Sequence, residues 1–198
     1  LGDLLRHYPR RYEDRSAFDR IPEGESPTPL CIHGVVVKRS VQRWGRRRLV
    51  VEATLRDASA DSGARLVCRW FNAWHLQRSL AEGDQLVVYG APTRKGRRLV
   101  IEHPELELLD GGPDDGGLLH MGRVVPVHPA ASGVTPRALR RILHDALAAA
   151  DLAQLRLGLP PQSIELEPQR FIRALHFPES PAEADASRRQ AVAEDLFA

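Results

Sequence analysis

A chain of 198 residues with 42% hydrophobic and 27% charged content is long enough to bury a core, as one domain with extensions or as two small ones. A formal net charge of +2 excludes a uniform polycation, and no apolar run approaches the roughly 20 residues a membrane helix needs. The opening LGDLLRHYPRRY has neither an initiator Met nor the layout of a signal peptide, so a cytosolic protein cut from a longer chain is expected. The cations are nearly all arginine, with lysine only at Lys38 and Lys95, and they cluster. Arginine suits bidentate and stacked contacts to phosphates and bases, although a GC-rich coding bias gives the same composition.

Leu1, Leu4 and Leu5 have helical spacing and Pro9 stops the helix, so residues 1–20 read as a short helix and then a loop. The alternating charges from Arg10 to Arg15 around Tyr12 suggest a salt-bridged arm. Pro22, Gly24, Pro27 and Pro29 mark a linker.

From Leu30 the hydrophobic period becomes two. Strands are expected from Leu30 to about Val41, over Leu49–Leu55, Leu66–Phe71, Gln85–Tyr89 and Arg98–Glu102. Turns fall at 42–45, 57–63 and Lys95-Gly96, and Asn72 is placed to cap a short helix reaching Leu80. Cys31 and Cys68 sit inside strand patterns and read as reduced core thiols.

Five short strands with a helix between the third and fourth match a Greek-key barrel of the OB type. The fold class expected is mainly β, a five-stranded OB-fold barrel with helical flanking segments, α+β overall. After the Gly-rich 110–117, Val124–Val127 makes an extended piece. Thr135-Pro136 opens a helix with Leu139, Ile142, Leu143 and Leu147 as its stripe, and shorter helices follow Pro168 and start near Glu183. The domain limits read as 1–29 (arm and linker), 30–109 (barrel), 110–130 (linker and extended segment) and 131–198 (helical segment).

No phosphate-cradling loop, dinucleotide fingerprint, nucleophile elbow or metal-ligand spacing occurs, so no catalytic or metal site is assigned. His103 and His128, each before a proline, read as structural. What stands out is aromatic and electrostatic. Trp70, Phe71 and Trp74 crowd the end of the third strand, as core filler or as a base-stacking platform. Arg43, Trp44, Arg46, Arg47 and Arg48 occupy the hairpin between strands one and two. Arg94, Lys95, Arg97 and Arg98 occupy the one between strands four and five. In an OB barrel these loops flank the binding face, and Arg69 lies between them.

Leu4-Leu5-Arg6-His7-Tyr8-Pro9-Arg10-Arg11-Tyr12-Glu13-Asp14-Arg15 resembles the entry segment of the bacterial RecG branched-DNA helicases. Arg69-Trp70-Phe71-Asn72, Tyr89-Gly90, His103-Pro104-Glu105, Val125-Pro126-Val127-His128-Pro129 and Arg173-Ala174-Leu175-His176-Phe177-Pro178 follow in that family's order. Arg188-Arg189-Gln190 to Leu196 is similar to the stretch before its motor. The resemblance implies a non-catalytic wedge region that splits strands at stalled forks and Holliday junctions. It implies ATP and Mg for a motor beyond Ala198, and no cofactor for this segment. The family's two stacking aromatics fall on Phe71 and His75, and where the family often has Tyr this chain has His75 with Trp74 beside it. By the same resemblance the barrel is expected to dock the acidic tail of single-strand-binding protein. A monomer in the bacterial cytoplasm, at the nucleoid, is expected.

Overall fold

The structure is a computed structural model and describes residues 2–44, 48–58, 63–109, 119–131, 133–152 and 164–197. Helices and strands run in the order α1 (Gly2–Leu5), β1 (Arg11–Asp14), β2 (Leu30–Trp44), β3 (Arg48–Asp57), β4 (Arg65–Phe71), α2 (Leu76–Ser79) and β5 (Gln85–Gly90). There follow β6 (Thr93–Lys95), β7 (Arg98–Glu102), β8 (Glu105–Leu108), β9 (Val124–Val127), α3 (Pro136–Ala149), α4 (Pro168–His176) and α5 (Pro181–Phe197). The chain divides into two compact units, one of residues 17–122 and one of residues 1–16 with 123–198. Among the described residues no helix is long and apolar enough to cross a membrane.

In the 17–122 unit the strands form a seven-stranded sheet in the order β6-β7-β4-β3-β2-β5-β8. The spatial run β5-β2-β3-β4 is a Greek key, in which the fourth strand of the key returns to lie beside the first. Strand β7 then pairs parallel to β4, Leu66 with Leu99 through Arg69 with Glu102. The ladder itself stays open between its edge strands, as a partly open OB barrel allows. Gly90 brings β5 close to β7 without a ladder, since a Cβ there would lie 2.5 Å from Ile101 Cγ2.

The alternating strands decide which face is core. Leu49, Val51, Ala53 and Leu55 of β3, with Leu66, Cys68 and Trp70 of β4, are buried in one cluster with Ile32, Val36, Leu86 and Val88. Each such aliphatic side chain contributes about 1.5–3 kcal/mol by leaving water. Leu76 of α2 and Leu80 just after it join the same cluster, so this short helix is held by two leucines rather than by a side-chain cap. Burial pushes the Cys68 thiol well above its ordinary range, as an inert core thiol requires.

Three readings need correction here. Residues 11–14 are a strand rather than a loop, because Arg11 to Asp14 pair antiparallel with Val127 to Val124. Arg43 and Trp44 belong to β2 and Arg48 to β3, so the first strand extends past Val41 into the expected turn, as far as Trp44. Asn72 does not cap α2, whose N-cap is His75 without a side-chain bond. Its Oδ1 instead accepts the Leu49 N–H at 3.3 Å. The short strands β6 and β8 are additional to the five expected. The expected turn at 57–63 and the Leu-rich 151–163 lie largely outside the described residues.

In the other unit Thr135 caps α3 by accepting the Ala138 N–H at 3.2 Å, with Pro136 in the first turn as expected. Leu139, Leu143 and Leu147 are buried, but Ile142 is 45% exposed and lies off the stripe. Phe171, Ile172 and Leu175 of α4 pack with Leu5, Leu147 and Ala191. Tyr12 of β1 donates to the Leu175 carbonyl at 2.8 Å.

A row of three imidazoles links distant parts of this unit. His7 lies nearly parallel to His128 (5.9 Å between centroids, planes 12° apart), and His128 meets the fully buried His176 edge to edge and nearly coplanar (5.4 Å, 16°). His176 Nε2–H faces the Leu5 carbonyl at 2.9 Å, which leaves Nδ1 to accept the His128 Nε2–H at 3.1 Å. Burial, then the neighbouring rings, hold His128 well below the usual histidine range, and burial does the same for His176. The unfolded chain takes up protons near pH 6.5, where the folded pair does not. Stability is therefore expected to fall as pH drops from about 6.5 toward 5, before most carboxylates titrate. Thermal unfolding followed by circular dichroism checks this, and a midpoint that stays level between pH 7.5 and 5 contradicts it.

Candidate nucleic-acid interface

The face of the sheet opposite the core is covered on one half only. There Met121 packs on Cys31 and Val87, and the Glu107 carboxylate accepts the N–H groups of Leu119 (3.2 Å) and His120 (3.0 Å). The half made by β2, β3, β4 and β7 is open. Strand register brings its outward residues together, with Val50 opposite Phe71, Glu52 opposite Arg69 and Arg56 opposite Arg65. On the other side of β3, Lys38 faces Thr54, Ser40 faces Glu52 and Gln42 faces Val50.

These residues line two adjoining depressions of about 640 and 570 Å³, which share Gln42, Glu52 and Arg98 and so form one groove. Its basic lining is Lys38, Arg48, Arg65, Arg69, Arg97 and Arg98, against the single acid Glu52. Arg69 is already engaged, since it binds Glu52 at 2.6 Å and reaches Glu102 at 3.5 Å. It is held as part of the groove floor, and the other five cations carry the free positive field.

Phe71 closes one end of the groove. It is 40% exposed at the last position of β4, with its ring tilted 43° against His103 at a centroid distance of 5.3 Å. Asn72 then turns the chain through left-handed backbone (φ 57°), and its N–H donates to the Leu49 carbonyl at 2.7 Å. With the return bond from Leu49 N–H to Asn72 Oδ1, this clasp ends β4 and fixes where Phe71 emerges.

Trp74 lies elsewhere. It is 47% exposed beneath the Arg43 guanidinium, which sits 5.9 Å from the ring and donates to Gln77 Oε1 at 2.9 Å. Arg43, Trp74, His75, Gln77 and Arg78 line a separate recess of about 460 Å³. Phe71 and Trp74 therefore line different depressions. Trp70 is 4% exposed and donates through Nε1 to the Pro104 carbonyl at 3.0 Å, a core residue with a satisfied polar end.

The structure thus gathers Phe71, Arg48, Arg69, Arg97 and Arg98 in the groove, and Arg43, Trp74 and His75 in the recess. Arg94 points away, with its backbone N–H on Glu25 Oε1 (2.9 Å) and its guanidinium on the Glu23 carbonyl (3.0 Å). Lys95 is exposed beside Arg98. Arg46 and Arg47 lie outside the described residues, as does the side chain of Trp44. Lys38, Arg65 and Gln42 were missed by reading clusters along the sequence. Their signal is the period-two pattern, which turns Lys38, Arg65, Arg69 and Phe71 outward once Leu66, Cys68 and Trp70 face in.

Comparison with known proteins gives concordant findings. The family model for the RecG wedge domain matches residues 1–150. An ATP-dependent DNA helicase RecG of Pasteurella multocida is 29% identical over 184 residues, covering 90% of this chain and 25% of the relative. The RecG helicase of Escherichia coli K12 is 28% identical over 181 residues, with the same two coverages. The chain thus spans about a quarter of the length of the curated relatives it matches. Among solved structures, RecG bound to a three-way DNA junction superposes with a TM-score of 0.74 at 21% identity, covering 96% of this chain and 25% of that one.

Proposed function

The chain belongs to the RecG wedge domain family, and from that membership we propose that it is the strand-separating, junction-binding wedge of a branched-DNA helicase in repair and recombination. The observation that carries this reading is the open groove, with five cations along it that have no acidic partner among the described residues and an exposed, clasped phenylalanine at its end. Cations spaced on a sheet face attract phosphates without reading sequence, and a phenyl ring accepts any base. The structurally similar RecG chain is itself held on a three-way junction, which supports the same partner here.

The fragment does no chemistry in this reading. ATP and Mg serve a motor in the longer protein, as in the ATP-dependent relatives. The protein works as a monomer in the bacterial cytoplasm, at the nucleoid. The acidic tail of single-strand-binding protein is assigned to the same basic groove, where it competes with DNA.

Fluorescence anisotropy on a labelled fork, a linear duplex and a single strand, across a salt series, tests the proposal. The fork is expected to bind tightest, and log affinity to fall by about 0.7–0.9 per phosphate contact for each decade of salt. Equal, weak binding to all three DNAs, beside tight binding of an acidic peptide, would transfer the groove to a protein partner.

A further inference from the structure

Phe71 is flanked by two residues with left-handed backbone. Asn72 (φ 57°) and His103 (φ 52°) are the non-glycine residues with left-handed backbone among the described residues. One follows Phe71 directly, and the other sets its ring against Phe71 from the turn that follows β7, the strand beside β4. Asparagine and histidine are among the residues that enter this region most readily, so each makes a tight local turn, and the two turns together fix where the Phe71 and His103 rings meet. The His103 turn is also firmly tied: its N–H donates to the Arg69 carbonyl at 2.7 Å, and the next residue, Pro104, accepts the buried Trp70 Nε1–H at 3.0 Å. The backbone thus holds the imidazole, an exposed side chain, beside the Phe71 ring.

An exposed phenylalanine that stacks on a base must surrender its own rotamer freedom on binding, which weakens the complex. A ring already braced meets most of that cost on folding. With the two rings 43° apart one flat base cannot lie on both, so His103 acts as a side brace and not as a second plate. We propose that His103 is a positioning residue for base stacking: it holds the Phe71 ring in its stacking orientation, at the position where Phe71 pairs with Val50 of β3. This rests on the wedge reading above.

The test uses this chain and a fork carrying 2-aminopurine at the branch-point nucleotide, with His103→Asn, Phe71→Ala and the double variant. Asparagine tolerates left-handed backbone, so His103→Asn removes the ring and keeps the turn, and His103→Gly serves as a second variant with the same backbone freedom. Circular dichroism melts establish that each is folded. His103→Asn is expected to weaken fork binding about three- to tenfold, the range of one aromatic pair, and to reduce the 2-aminopurine quench. The salt slope and the affinity for linear duplex stay as they are. In the Phe71→Ala background the same change is expected to cost nothing further, because there is no ring left to hold. Unchanged fork binding and quench in both ring-free variants, or an equal loss with and without Phe71, overturns the positioning role alone. A wild-type chain without fork preference overturns the wedge reading and this inference together.

Discussion

Trp70→Ala is expected to destabilise the 17–122 unit by about 3–5 kcal/mol, enough to unfold much of a marginally stable domain. Trp70 is 4% exposed among Val51, Cys68 and Ile101, where collapse of the surroundings cannot fill the volume of an indole. The loss has a second part. Pro104 would lose the N–H that satisfies its carbonyl, and an unpaired buried acceptor costs about 1–3 kcal/mol. Trp70→Phe separates the two, since it keeps most of the apolar volume and deletes only the hydrogen bond. Urea unfolding followed by circular dichroism measures both variants. Phe71→Ala, one position along, is expected to move the midpoint little, because its ring is 40% exposed. If Trp70→Ala and Phe71→Ala shift the midpoint equally, the division of this aromatic cluster between core and surface is wrong.

That division shows how far sequence reaches here. The strands of the barrel were legible because Leu49 to Leu55 and Leu66 to Trp70 alternate cleanly, and Thr135 announced α3 through its own local bond. Asn72 misled because its cap-forming chemistry is local, whereas its actual partner is Leu49, brought there by the β3–β4 pairing. Strand β1 was hidden for a similar reason: RYED has no apolar alternation, and its ladder partner β9 lies more than a hundred positions on. For the site, runs such as Arg46-Arg47-Arg48 draw attention in the sequence, yet Lys38 and Arg65 reach the groove singly, through register. The brace between Phe71 and His103 exists only after β7 has crossed over to run parallel to β4.

Phe71→Ala is expected to weaken fork binding by about 1–3 kcal/mol, roughly five- to over a hundredfold, while the fold stays intact. The size follows from the loss of one stacked base, and the selectivity follows from where the ring sits. Linear duplex offers no unpaired base to cap, so its affinity, which the proposed function assigns to phosphate contacts along the groove cations, is expected to hold. For the same reason the salt slope of the variant matches the wild type, because no charge has been removed. Arg98→Ala is the complementary change: it lies where the two halves of the groove meet, and its removal lowers affinity for every DNA and flattens the slope by about 0.7–0.9. Trp74→Ala probes the separate recess under Arg43, and since that recess shares no lining residue with the groove, its effect should add to that of Phe71→Ala. A loss on fork and duplex alike in Phe71→Ala would mean that the ring shapes the groove instead of capping a base, and a double variant no weaker than Phe71→Ala alone would leave Trp74 outside the DNA path.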